Sequence, residues 1–72
     1  MSARFKPEDL VEIGRNFHGM AGRRAAVRRR EADGRYTLVE IDGRAVLRLW
    51  RSWTHLVERG SDLARVALVM HE

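Results

Sequence analysis

Residues 35–49, RYTLVEIDGRAVLRL, decide the fold class. Two runs of β-forming residues, one holding Tyr36, Thr37, Leu38, Val39 and Ile41 and the other Val46, Leu47 and Leu49, flank Asp42-Gly43. An Asp-Gly pair between such runs is the strongest short-range hairpin signal. Two strands are predicted, Arg35 to Ile41 and Arg44 to Leu49. A two-residue turn sets Ile41 opposite Arg44, Glu40 opposite Ala45, Val39 opposite Val46, Leu38 opposite Leu47, Thr37 opposite Arg48 and Tyr36 opposite Leu49. Because side chains alternate across a strand, Tyr36, Leu38, Ala45, Leu47 and Leu49 share one face, which is the expected core. The other face carries Val39, Ile41 and Val46 beside Thr37, Arg44 and Arg48 and needs a cover. Either the C-terminal segment or a second copy of the chain, making a homodimer, would supply it.

Upstream, Leu10, Val11 and Ile13 suit a first strand from Asp9 to Ile13, and residues 1–7 read as an extended lead-in because Pro7 lacks an amide donor. Phe5 is placed to cap an open end of the core. Gly14, Gly19 and Gly22 then punctuate a loop whose one large apolar side chain is Phe17. Tight turns explain these glycines, since the patterns of phosphate-cradling loops, GxxxxGK followed by Ser or Thr, and GxGxxG, are absent.

A second strand is expected from Arg23 to about Glu31. Simple alternation puts Arg23, Ala25, Val27 and Arg29 on one face and Arg24, Ala26, Arg28 and Arg30 on the other. The second set is strongly basic and suits contact with a phosphate backbone; a solvated face, tempered by Glu31 and Asp33, is the alternative.

Trp50-Arg51-Ser52-Trp53 fits one turn of 3₁₀ helix, in which positions three apart eclipse. Trp53 is assigned to the core and Trp50 to the surface. Residues 61–72, SDLARVALVMHE, read two ways. As a helix, Ser61 caps, Asp62 complements the dipole, and Leu63, Val66, Ala67 and Met70 form a stripe. As a strand, RVALVM is β-prone and apolar on both faces, and this is the preferred reading because helices so short are marginal unless packed.

Seventy-two residues make one domain, 1–72, with a thin core. The chain has no cysteine and its three histidines, His18, His55 and His71, lack metal-ligand spacing, so neither metal nor cofactor is expected. The absence of a nucleophile, base or metal set into a pocket argues against an enzyme. No apolar run approaches the roughly 18 residues of a membrane span, so no membrane partner and a cytoplasmic location are expected. Thirteen Arg and one Lys against ten acids give a formal charge of +4, which favours a polyanion.

The spacing Phe17-x-Gly19-x-x-Gly22 resembles the loop of a KOW motif, the signature of one class of SH3-like barrels. The resemblance spans residues 8–57: strand, glycine loop, second strand, hairpin, short turn and a last strand at His55 to Val57. It implies an all-β fold, a small SH3-like five-stranded barrel with a short 3₁₀ turn and an extra C-terminal strand or short helix. KOW domains occur in transcription elongation factors and ribosomal proteins, where they bind RNA, ribosomes, RNA polymerase or accessory proteins. By resemblance, Phe17 and Gly22 are framework and neighbouring loop and strand residues are contacts.

The expected function is therefore a non-catalytic nucleic-acid-binding module, RNA before DNA, associated with ribosome or transcription. Arg23, Arg24, Arg28, Arg29 and Arg30 would neutralise phosphates, and Tyr36 or Trp50 would stack on a base. The alternative is a protein-interaction module or inhibitor that docks on a larger protein or ribonucleoprotein complex through Trp50, Ile41, Val46 and the RVALVM run.

Overall fold

The computed structural model describes residues 4–71; residues 1–3 of the predicted lead-in and residue 72 lie outside them. Five strands follow in order: β1 Leu10–Ile13, β2 Arg24–Arg30, β3 Tyr36–Glu40, β4 Val46–Leu49 and β5 Thr54–Glu58. A 3₁₀ turn, Arg51–Trp53, joins β4 to β5, and helix α1, Asp62–Met70, closes the chain. The strands form one antiparallel sheet in the order β4-β3-β2-β1-β5.

The β3–β4 register is the one the Asp-Gly signal implies: Val39 faces Val46, Leu38 Leu47, Thr37 Arg48 and Tyr36 Leu49. The turn itself differs from a two-residue loop. Arg44 N–H donates to the Glu40 carbonyl at 3.0 Å and Glu40 N–H to the Ala45 carbonyl at 2.8 Å, enclosing residues 41–44. Arg44, with φ 60°, takes the left-handed conformation rather than Gly43. Gly43 is favoured for a different reason: a Cβ there would meet the carboxylate of Glu40, which would have to shift. That carboxylate is held in place by Arg23, whose Nη1 lies 2.6 Å from its Oε2.

The sheet is open, where a closed barrel was expected. Its two edges, β4 and β5, do not pair. A flat sheet would nonetheless be impossible. Four inter-strand steps span about 19 Å, whereas the chain from Leu49 to Thr54 reaches about 17 Å even fully extended and less through the 3₁₀ turn. The sheet therefore curls, bringing its edges towards each other without closing the hydrogen-bond ladder. Side chains rather than backbone fill the inside: Phe5, Val11, Ile13, Ala25, Val27, Tyr36, Leu38 and Leu49 form the main core, with Phe17, Met20, Leu47 and Trp53 packed against it. Phe17 meets Trp53 edge to face with ring centroids 6.1 Å apart.

The outer face is covered by α1, which corrects the preference for a C-terminal strand. Ala64 N–H donates to Ser61 Oγ at 3.2 Å, so the cap satisfies one of the first-turn amides, and Asp62 sits in the first turn. Ala64 is fully buried against Leu10 and Ala26, with Ile41, Ala67 and Leu68 packed around them. Tertiary packing thus supplies what a nine-residue helix lacks alone and overrides the β-propensity of the run. The buried side is centred on Ala64, Ala67 and Leu68, so the expected stripe is displaced: Leu63, Val66 and Met70 remain exposed. Small alanines at the contact let the helix lie close to the sheet with Leu68 beside them, while Leu63, Val66 and Met70 lie away from that contact.

Asp9, 2% exposed, anchors the start of this arrangement. Its carboxylate accepts from Lys6 N–H at 2.8 Å, Gly60 N–H at 3.2 Å and Arg59 Nη1 at 2.8 Å. The lead-in, the end of β5 and the entry to α1 are thereby tied to one buried, fully partnered group.

Candidate nucleic-acid interface

The arginines of β2 do not share a face. A β-bulge between Val27 and Arg29 inserts Arg28 as an extra residue, so Val27 faces Leu38, Arg29 faces Thr37 and Arg30 faces Tyr36. Directly opposed residues of an antiparallel pair lie on one side of the sheet. Arg30 thus moves to the side of Tyr36 and Leu49, while Arg29 lines up with Thr37 and Arg48 on the side that α1 covers further along. The simple alternation that set Arg24, Arg28 and Arg30 together is corrected by this one inserted residue.

Arg23 and Arg24 stand at the other end of β2, about 20 Å from Arg30 at strand rise. Arg23 is engaged by Glu40, whose hydrogen bond and charge hold the guanidinium pKa above its ordinary value. Arg24 is opposite Glu12. Tyr36 is 2% exposed, its ring 5.1 Å from that of Phe5 and tilted by 51°. It is a core residue and presents no face on which a base could stack.

Around the β2–β3 turn the remaining candidates come together. Asp33 Oδ1 accepts Arg35 N–H at 2.9 Å, and Asp33 Oδ2 lies 2.8 Å from Arg35 Nε. The Arg35 amide first and its guanidinium second hold the Asp33 pKa below the ordinary carboxylate value. Glu31 accepts from the Thr37 hydroxyl and from Arg29 Nε at 2.8 Å, and these bonds lower its pKa too. Arg35 Cζ is 6.0 Å from the ring centroid of Trp50. Trp50, 44% exposed, lies over Gly34: its Cζ3 is 3.5 Å, and Arg30 Nη2 is 3.6 Å, from the point a Cβ on Gly34 would occupy. Both are within 3.6 Å of one point, so these two atoms are no more than about 7 Å apart. Arg51, adjoining Trp50, sits 5.0 Å over the ring of Phe5.

Sequence reasoning had singled out Arg28, Arg29, Arg30 and Trp50 of this group and missed Arg35, Arg48 and Arg51. The register contained the signal. Continuing the pairing of Tyr36 with Leu49 by one residue sets Arg35 opposite Trp50, and Arg48 was already opposite Thr37. Six arginines, 28, 29, 30, 35, 48 and 51, gather here against the two carboxylates of Glu31 and Asp33. Six cations against two carboxylates give this end a formal +4, whereas elsewhere among the described residues eight cations stand against seven carboxylates. Among the described residues, Arg28, Arg30 and Arg48 make no ion pair.

The chain matches no family model, no curated protein and no solved structure. Two further surfaces stand apart from the basic end. A cleft beside the glycine loop is lined by Glu12, Gly14, Arg15, Gly22 and His55. An apolar groove between α1 and the β3–β4 turn is lined by Ile41, Arg44, Leu63, Val66, Ala67 and Met70. Among the described residues no group of three or more His, Cys, Asp or Glu side chains is arranged to hold a metal ion, and no helix is long and apolar enough to cross a membrane.

Proposed function

We propose that the protein is a non-catalytic nucleic-acid-binding module, RNA before DNA, acting in a ribosome- or transcription-associated setting. What carries this reading is the concentration of six arginines against two carboxylates at one end of the sheet, around an exposed tryptophan. Phosphates are attracted there by Arg28, Arg30 and Arg48, with Arg29 and Arg35 partly offset by their carboxylates and Arg51 beside them. The order of elements supports an SH3-like, KOW-class assignment: strand, glycine loop bearing Phe17, strand, hairpin, 3₁₀ turn, strand. The half-buried Phe17 packed on Trp53 also suits the framework role that the resemblance gives it.

The test is fluorescence anisotropy of a labelled RNA oligonucleotide at about 50 and 200 mM salt. Neutralising a phosphate of a single strand releases counterions and contributes about −0.7 to the slope of log affinity against log salt. Three to five arginine contacts predict a slope of about −2 to −3.5. A flat salt response would remove the reading.

A second reading, a protein-interaction module docking on a larger complex, is favoured by the apolar groove on α1, where Leu63, Val66 and Met70 are exposed beside Ile41. It predicts weak binding to every nucleic acid and loss of a protein partner when Val66 is changed to Glu.

A further inference from the structure

The basic end has an internal geometry that distinguishes between kinds of nucleic acid. The 3₁₀ turn sets the backbone of Trp50. Its backbone is extended at φ −71° and ψ 147°, and its carbonyl accepts Trp53 N–H at 3.0 Å, closing the 3₁₀ turn. Part of the ring edge rests over Gly34, and nearly half of the side chain stays open. Arg30 reaches the same point over Gly34 from β2, no more than about 7 Å from the indole edge. An exposed aromatic with a cation at that distance matches one nucleotide: a flat base and the phosphate attached to it. A base within a duplex is already stacked on both faces and offers neither to a side chain.

The same end is poorly suited to a groove. A two-stranded ribbon is able to enter the major groove of DNA, but here the tip of the β2–β3 ribbon carries Glu31 and Asp33. Both are held ionised by their hydrogen-bond donors and would face phosphates on either wall. Trp50 and Arg30 meet over Gly34, and the two carboxylates are engaged by Thr37, Arg29 and Arg35.

We infer that the site takes a single strand, stacking one unpaired base on the Trp50 indole while Arg30 neutralises a phosphate of the same or the adjoining nucleotide. The inference rests on the nucleic-acid reading and narrows it.

The experiment follows the anisotropy of labelled oligo-U, oligo-dT and a blunt DNA duplex, each about 12 units long and within the range covered by one small domain. The proteins compared are the unaltered chain, Trp50→Phe, Trp50→Ala and the double variant Arg28→Glu with Arg30→Glu, each checked by thermal melting. Both single strands should bind about tenfold or more tighter than the duplex. Trp50→Ala should weaken single-strand binding by about 5- to 150-fold, the range set by stacking one base. Its salt slope should be unchanged because no phosphate contact is lost, and Trp50→Phe should retain most of the affinity. The ratio of oligo-U to oligo-dT then tells whether RNA or DNA is the source, and either order supports the inference. Equal binding to single strands and duplex, with Trp50→Ala unaltered and the double arginine variant inactive, would overturn the inference and leave the broader reading standing. No binding to any probe by the unaltered chain would overturn both.

Discussion

Glu31 and Asp33 show how much a single carboxylate decides at the basic end. Each is held below its ordinary pKa: Glu31 by the Thr37 hydroxyl and then Arg29, Asp33 by the Arg35 amide and then its guanidinium. A carboxylate whose folded pKa lies below its unfolded one adds stability above the unfolded pKa and loses it as pH falls through the folded pKa. Thermal melting should therefore be level from pH 7 to about 5 and decline below about pH 4, where ordinary carboxylates protonate. Glu31→Gln should flatten part of that decline; an identical profile would show that Glu31 makes no such contribution. These partners were not legible in the sequence. Glu31 and Asp33 read as moderators of a basic face, while the Thr37 hydroxyl that binds Glu31 depends on a fold-back six residues long. Gly43 is a similar case. Its place in a turn was plain from Asp42-Gly43, but the advantage of glycine there comes from the Glu40 carboxylate lying against it.

Between elements, legibility follows the strength of the local signal. The β3–β4 register was readable from Val39–Val46 to Tyr36–Leu49 because the alternating pattern fixes which residues face the core, although the expected Ile41–Arg44 pair is taken up in a four-residue loop that keeps the same register. The bulge in β2 left no mark, since RAAVRRR alternates acceptably with or without an extra residue, and its consequence was to divide the arginines between two faces. The 61–72 segment held contradictory signals, a cap followed by a β-prone run, and packing of Ala64 on Leu10 and Ala26 decided it. The cap makes a measurable contribution. Ser61→Ala should destabilise the protein by about 1 kcal/mol in chemical denaturation, the usual cost of losing a cap hydroxyl. An unchanged midpoint would mean that α1 is held by packing alone. Continuing the hairpin register by one residue would also have brought Arg35 to Trp50, so that part of the site was present in the sequence and needed only to be drawn out.

Over the whole molecule, charge is uneven: one end of the sheet gathers six arginines against two carboxylates, while the rest of the described residues are close to balance. Composition alone gave the excess of +4 but no location for it. Location depends on the curl of the sheet, on the bulge that turns Arg30 toward Trp50, and on the 3₁₀ turn that sets Trp50 beside the β2–β3 tip. A polyanion should accordingly engage that end and ignore the helix. The most direct test compares two charge changes in one binding assay with single-stranded RNA at about 50 mM salt. Arg28→Glu with Arg30→Glu alters the basic end, and Arg65→Glu alters α1, where Arg65 is paired with Asp62. The double variant should lose binding by about a hundredfold or more, with the thermal midpoint little changed because both side chains lack ion pairs and are not fully buried. Arg65→Glu should bind within about threefold of the unaltered chain. Because the double variant changes twice as many charges, a loss of about tenfold or more from Arg65→Glu would contradict the account, since binding would then follow net charge and not the arrangement of Arg28, Arg30 and Trp50.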